Sequence, residues 1–284
     1  MSTSKPRIVD AHQHFYNFER VPYYWPTPDE PELYRSFHPE ELEPLLRDNG
    51  IDETVIVQAD HSDNETDYLL EVAEANAWVA GVVGWVDLLH PDAAARRLEA
   101  LSERPKFKGV RHLIHDEQDP DWILQPAALE SLALLADHGY TYDVVAVLPR
   151  HLEHVCTLAE RLPQLRLVID HLAKPPIRER RMEPWATLIR EAAAYPNVYA
   201  KVSGLNTAAD PQTWAGEDLK PYIEHALTCF GAERLMFGSD WPVANLAGDY
   251  RKVWTETNRA LAGLSEAERR AILGETAVRF YRLG

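Results

Sequence analysis

His12 and His14 stand two positions apart in Asp10-Ala11-His12-Gln13-His14, at the end of an apolar run. If that run is a strand, its two-residue period sets both imidazoles on one side. A third imidazole comes from the pair Asp170-His171, and a carboxylate, Asp240, from Gly238-Ser239-Asp240-Trp241-Pro242. Three imidazoles and a carboxylate suit two kinds of chemistry. They can hold a divalent cation, or they can surround a water and an ester carbonyl without one. A His-x-His pair alone equally fits structural histidines making ordinary hydrogen bonds. What distinguishes this set is that each member closes a run that reads as a strand.

Eight short β-branched runs recur, at residues 7–14, 54–59, 79–88, 107–115, 141–147, 165–172, 198–205 and 234–240. Several are continuously apolar, such as Val-Ile-Val at 55–57, which is the pattern of strands covered on both faces. Between them lie segments of helical periodicity. Three end at a glycine expected to cap in the left-handed conformation: 40–49 at Gly50, 126–138 at Gly139 and 218–230 at Gly231. Further helices are expected at 66–77, 92–103, 149–161, 184–195, 249–261 and 265–281, the last with Ser265 and Glu268 at capping-box spacing. Eight strand–helix units without a linker or a composition break predict one domain over 1–284, an α/β protein of the closed (β/α)8 TIM-barrel class. The Pro- and Tyr-rich stretch 15–39 has no period and follows the first strand, so it is expected as a long loop over the mouth, a lid or pocket wall.

Twenty-nine Lys+Arg against 45 Asp+Glu give a net charge of −16, and the basic residues are dispersed among acids. That balance excludes a nucleic-acid or anionic-membrane surface and favours a small-molecule substrate. No run approaches the roughly 20 apolar residues of a membrane span and residues 1–6 lack a signal-peptide core, so a cytoplasmic protein is expected. Cys156 and Cys229 have no close-spaced partner and read as buried thiols without a role. The tryptophans and other aromatics leave room for a homodimer.

In a parallel barrel the site is built at C-terminal strand ends. On strand four, Arg111 and His115 share a face and His112 points the other way. The planar fork of Arg111 can clamp a carboxylate or hydroxyls, or pair with Asp170 or Asp143 inside the barrel. Asp143 on strand five is a candidate acceptor for substrate hydroxyls, and His151, in the loop after it, a candidate substrate contact. Trp25, with Tyr23 and Tyr24, can cover the apolar face of a ring or pack the loop to the rim. Lys201 reads as an ion-pair partner of Asp170 or Asp240. His138 is placed as a helix C-terminal partner, His90, His154 and His225 on the surface, and His38 and His61 are left open.

Taken together, Asp10-Ala-His-x-His-Phe15, Gly109-Val-Arg-His112, Asp170-His-Leu-Ala-Lys-Pro175, Lys201-Val-Ser-Gly-Leu205 and Gly238-Ser-Asp-Trp-Pro-Val243 resemble the sugar-lactonase branch of the amidohydrolase superfamily. The motifs run in order over nearly the whole chain. The resemblance implies a metal-dependent-hydrolase-like barrel and hydrolysis of a small lactone in carbohydrate metabolism, with L-fuconolactone, L-rhamnonolactone and related rings as the substrate range. By position, His12, His14, His171 and Asp240 match the superfamily's first-strand pair, sixth-strand His and eighth-strand Asp, the ligands if a metal is bound. Arg111 matches a substrate-contacting arginine. The chain departs from binuclear members. Lys108 stands at the start of strand four, and strand five has Asp143 but no histidine before His151. One divalent cation at most, zinc or manganese, or none, is therefore expected.

In the expected reaction Asp240 takes a proton from water and returns it to the ring oxygen, while the imidazoles, or an ion they bind, hold the oxyanion. Two alternatives are a metal-dependent decarboxylase of an unsaturated or aromatic acid in the same superfamily and a non-catalytic barrel that binds a small molecule.

Overall fold

The computed structural model describes residues 6–284. Eight parallel strands pair in sequence order: β1 (Val9–Gln13), β2 (Glu53–Val57), β3 (Val79–Gly84), β4 (Phe107–His112), β5 (Thr141–Val144), β6 (Arg166–Ile169), β7 (Val198–Val202) and β8 (Leu235–Phe237). The ring closes just past β8, where Gln13 bridges Trp241 in parallel and the Asp240 and His14 amides donate to His12 O and Trp241 O. Eight helices alternate with the strands: α1 (Pro39–Asn49), α2 (Asp63–Ala75), α3 (Pro91–Ser102), α4 (Pro126–His138), α5 (Pro149–Arg161), α6 (Trp185–Ala193), α7 (Gly216–Phe230) and α8 (Tyr250–Ala260). The expected (β/α)8 barrel is therefore the fold. No helix among the described residues is long and apolar enough to cross a membrane.

Gly50 and Gly139 end α1 and α4 in the left-handed region, φ 71° and 74°, as their positions predict. Gly231 differs: its φ is 70° but its ψ is 161°, so the chain leaves α7 extended and feeds a short turn into β8. The final helix is also not continuous. It divides into α9 (Glu266–Arg270), capped by Ser265, a π-turn over Ala271–Glu275 and α10 (Thr276–Tyr281). A Cβ on Gly274 would sit 1.9 Å from Arg7 O, so the absent side chain is what lets this turn press against the chain entering β1.

The core has two parts. Strand and helix faces form the outer layer, while Val9, Ala11, Val55, Val57, Val83, Val168 and Met236 fill the lower barrel and are plugged by Phe280, Tyr281 and Leu283 of the C-terminus. Above this apolar floor the interior turns charged. The change is visible in β1, where the register with β2 slips between Asp10 and Gln13. That bulge inserts one extra residue, and the inward face passes from Val9 and Ala11 to His12 and His14.

Candidate active site

His12 and His14 meet at their Nε2 atoms, 3.3 Å apart, at the top of β1. Asp240 faces them from beyond β8, and its Oδ1 lies 3.4 Å from His14 Nε2, 3.7 Å from His12 Nε2 and 3.9 Å from His171 Nε2. Two backbone features make this convergence possible. Asp240 has a φ of 61°, and the neighbouring Gly204, at φ 57°, comes so close that a Cβ there would lie 2.6 Å from His171 Nδ1 and 2.7 Å from Asp240 Oδ2. Glycine is required at that approach. Beneath, Asp10 accepts from the Ser239 amide, the Tyr250 hydroxyl and the His12 amide, tying the β8 exit to β1. Burial lifts the Asp10 carboxyl to about 6 in spite of these donors.

The other nitrogen of each ring decides what the Nε2 atoms can do. His14 Nδ1 lies 2.7 Å from Val57 O, which only a proton on Nδ1 can satisfy, so Nε2 carries a bare lone pair. His171 Nδ1 meets Ser203 Oγ at 2.8 Å, and His12 Nδ1 lies between Lys201 Nζ at 3.0 Å and Asp170 Oδ1 at 3.3 Å. Burial depresses all three imidazoles, His171 to about 4, so they are neutral at pH 7. Burial alone would raise Asp240, but His171, the His14 hydrogen bond, His12 and Lys174 outweigh it and hold the carboxyl well below its usual range. Its Oδ2 is buried with no hydrogen-bond partner. A carboxylate facing the bare Nε2 of His14 calls for a proton or a cation between them. His12, His171 and Asp240 offer ligand atoms within 4.8 Å of one another, a donor set that suits one divalent ion.

A chain of buried charges supports the set from below. Asp143 Oδ2 binds Lys201 Nζ at 2.5 Å, Lys201 Nζ binds Asp170 Oδ1 at 3.0 Å, and Asp170 Oδ2 binds Arg111 Nη1 at 3.2 Å. Arg111 is anchored further by Gln58, through Nε at 2.9 Å and through the Gln58 carbonyl. Above the imidazoles opens a cavity of about 340 Å³, with His14, His171, Asp240 and Arg111 at its polar side. Tyr16, Tyr24 and Trp25 of the long first loop form its aromatic wall, and His115 and Lys174 complete it. The loop is a wall held in place, with Tyr16 pairing Phe37 across it and Tyr24 donating to Asp116.

Of the residues singled out from sequence, His12, His14, His171, Asp240, Arg111, His115 and Trp25 come together here. Two substrate candidates do not. Asp143 has no exposed surface, and its Oδ2 is held by Lys201 and by the Tyr281 hydroxyl at 2.7 Å, below the cavity. His151 is 1% exposed and its Nδ1 accepts from the amides of Val147 and Leu148, closing the first turn of α5. Tyr23 packs on Tyr16 and Phe18 instead of lining the cavity. His154, expected at the surface, is 3% exposed and bound to Pro120 O and Asp121. Lys201 pairs with Asp170 as expected, but its second acid is Asp143 and not Asp240.

Sequence reasoning passed over Gln58, Tyr16 and Lys174. Gln58 carries a legible signal, a polar residue just past β2. Lys174 carries none, because its position depends on four consecutive non-glycine residues at positive φ: His171 55°, Leu172 49°, Ala173 60° and Lys174 49°. A left-handed turn costs about 1–2 kcal/mol per residue. It is held by the Lys174 amide on His171 O at 2.9 Å and by Trp185 Nε1 on Leu172 O at 2.6 Å.

His61, His112 and Glu117 form a second cluster with ligand atoms close together. Here the rings of His61 and His112 stack at 3.9 Å and 18°, and Trp122 stacks on the other face of His112. A ring nitrogen binds an ion in its own plane, and two stacked planes cannot share one. This cluster is packing.

A parallel barrel with three imidazoles and an aspartate at its C-terminal mouth defines a hydrolase-type site. The family comparison agrees: the amidohydrolase family profile matches residues 9–283, and the chain belongs to that family. It is 42% identical to the L-fucono-1,5-lactonase of Burkholderia ambifaria, covering 97% of this chain and 95% of that protein. The L-fucono-1,5-lactonase of Burkholderia multivorans is 38% identical over 97% of this chain and 96% of its own length. Among solved structures, an amidohydrolase from Burkholderia multivorans with bound zinc superposes with a TM-score of 0.90 at 36% identity, covering 98% of this chain and all of that one.

Proposed function

We propose that this protein hydrolyses a sugar aldonolactone of the L-fucono-1,5-lactone type, opening the ring to the hydroxy acid. The observation that carries the reading is Asp240 Oδ1 set against three neutral imidazoles at the floor of a cavity with one aromatic and one cationic side. The identity to two L-fucono-1,5-lactonases along nearly their whole length supports the substrate class.

Each requirement of the reaction has a residue. The lactone ring lies against Trp25 and Tyr24, which offer an apolar face to its C–H side. Arg111, rigid through Gln58 and Asp170, presents its remaining N–H groups to ring hydroxyls. Asp240 accepts a proton from the attacking water as the oxygen bonds to the acyl carbon, and returns that proton to the ring oxygen when the C–O bond breaks. A carboxylate held so far below its usual range is always ionised near neutrality but is a weak base. His12, His14, His171 and Asp240 would hold a single divalent cation, zinc before manganese given the nitrogen-rich donors. Such an ion, when bound, lowers the pKa of a water and polarises the acyl oxygen.

Decarboxylation has less support, because β5 brings no histidine to the mouth and its inward acid is tied to Lys201. A pure binding barrel gives no reason to hold an ionised carboxylate against three imidazoles.

The test is a pH-indicator assay on a panel of sugar lactones, run as purified and after chelation, with metal content measured in both samples. Hydrolysis of L-fucono-1,5-lactone that is lost on chelation and restored by zinc supports both parts. Activity persisting without an ion removes the metal from the reading, and silence on every lactone removes the reading itself.

A further inference from the structure

We propose that Lys174 is a catalytic residue whose ammonium binds the acyl oxygens of the substrate as they acquire negative charge, and holds the carboxylate of the product. The proposal rests on reading the site as a lactone hydrolase.

Three observations converge on it. The first is charge. Arg111 and Lys201 are each paired with buried carboxylates, Arg111 with Asp170 and Lys201 with Asp143 and Asp170. Lys174 lines the same cavity as Asp240 and His171, yet its hydrogen-bond partners are neutral, Thr207 Oγ1 at 3.0 Å and Gly204 O at 3.5 Å, and Asp240 and Asp170 act on it only through space. Among the described residues it has no carboxylate at ion-pair distance. A partly buried ammonium in a cavity is costly unless an anion comes to meet it. The second is donor count. An ammonium has three N–H groups, and those two acceptors leave one for a ligand.

The third is the backbone. His171 through Lys174 form one left-handed turn of non-glycine residues, closed by Lys174 N on His171 O. Strain of this kind persists where it positions a functional group. A three-residue step around a tight turn brings its first and last members to one side, and both His171 and Lys174 line the cavity. The turn therefore sets the ammonium beside the ring that faces Asp240.

The step balances without any further reagent. Water oxygen bonds to the acyl carbon and gives its proton to Asp240, and the carbonyl π pair moves to the acyl oxygen, where the Lys174 N–H donates. On collapse that pair returns, the bond to the ring oxygen breaks, and the ring oxygen takes the proton from Asp240. The new acid loses its proton to solvent, leaving a carboxylate on Lys174.

Lys174→Met and Lys174→Arg, each with its normal complement of metal, test this. Calorimetric titration with L-fuconate and other small hydroxy carboxylates reads anion binding, and initial rates on L-fucono-1,5-lactone read turnover. The expected result for Lys174→Met is at least tenfold weaker carboxylate binding and a kcat lowered about 100-fold, as when one oxyanion donor is lost. KM should stay within about threefold and circular dichroism and bound metal unchanged, with Lys174→Arg recovering a large part of both losses. Wild-type carboxylate affinity in Lys174→Met, or a kcat within threefold of wild type, overturns the proposal while leaving the lactonase reading intact. Failure of that reading shows separately, as absent hydrolysis by the unmodified protein.

Discussion

Lys201 Nζ lies 2.5 Å from Asp143 Oδ2, and neither side chain has any exposed surface. The same ammonium touches Asp170 Oδ1 and His12 Nδ1, each at 3.0 Å. One cation inside the barrel thus steadies two carboxylates and fixes the ring of His12 from behind.

Removing it should cost far more than its share of contacts. Lys201→Met leaves Asp143 and Asp170 buried and under-compensated, and losing one partner of a buried pair costs about 3–5 kcal/mol. Urea denaturation should show that loss, and the double variant Asp143→Asn/Lys201→Met should recover part of it. A double variant as unstable as the sum of the singles would deny the coupling.

Asp240→Asn should keep the fold, since asparagine tolerates the positive φ of this position better than most residues. It cannot take up and return a proton. We expect kcat on a lactone to fall by about 10³-fold, within the range for general acid–base groups, with an unchanged near-ultraviolet spectrum. Turnover near wild type would reassign the base.

Gly204→Ala places a methyl against His171 and Asp240 at a φ of 57°. The neighbours are the reacting groups themselves, so the expected result is an activity loss of about tenfold or more. The accompanying destabilisation should be on the order of 1 kcal/mol. Parallel rate and melting measurements would show whether activity falls further than stability.

Glu65 gives the sharpest pH signature. Its buried carboxylate accepts from the amides of Ala59 and Asp60, yet burial dominates and raises it to about 8 from 4.5. A raised acid binds its proton more tightly folded than unfolded. Its contribution is full below about pH 4.5 and is lost as pH climbs through about 8, so stability falls across that window. From pH 5 to 8.5 the melting temperature of the wild type should fall relative to that of Glu65→Gln, the comparison cancelling the buried histidines whose lowered pKa values act in the opposite sense. Identical slopes in both proteins would contradict the assignment.

The eight strands were legible because covered strands are continuous apolar runs, and the reacting set because it recurs at strand ends. Depth inside the barrel was not legible. Arg111 and Asp143 are Cα partners in the β4–β5 register and stand at one level. The long arginine reaches the cavity from there, while the short aspartate ends among Lys201 and Tyr281. His151 misled in another way. Pro149 opens α5 and a histidine two residues later can accept the free amides of the first turn, which its Nδ1 does. Lys174 depended on a left-handed turn without glycine, which no periodicity announces.

Tyr281 closes α10, and its hydroxyl donates to Asp143, which holds Lys201, which holds His12 on β1. The chemistry of the first strand is therefore completed by α10, the helix that plugs the lower barrel. Tyr281 is in that sense a keystone, and damage confined to the floor of the barrel would disarm the mouth at its opposite end.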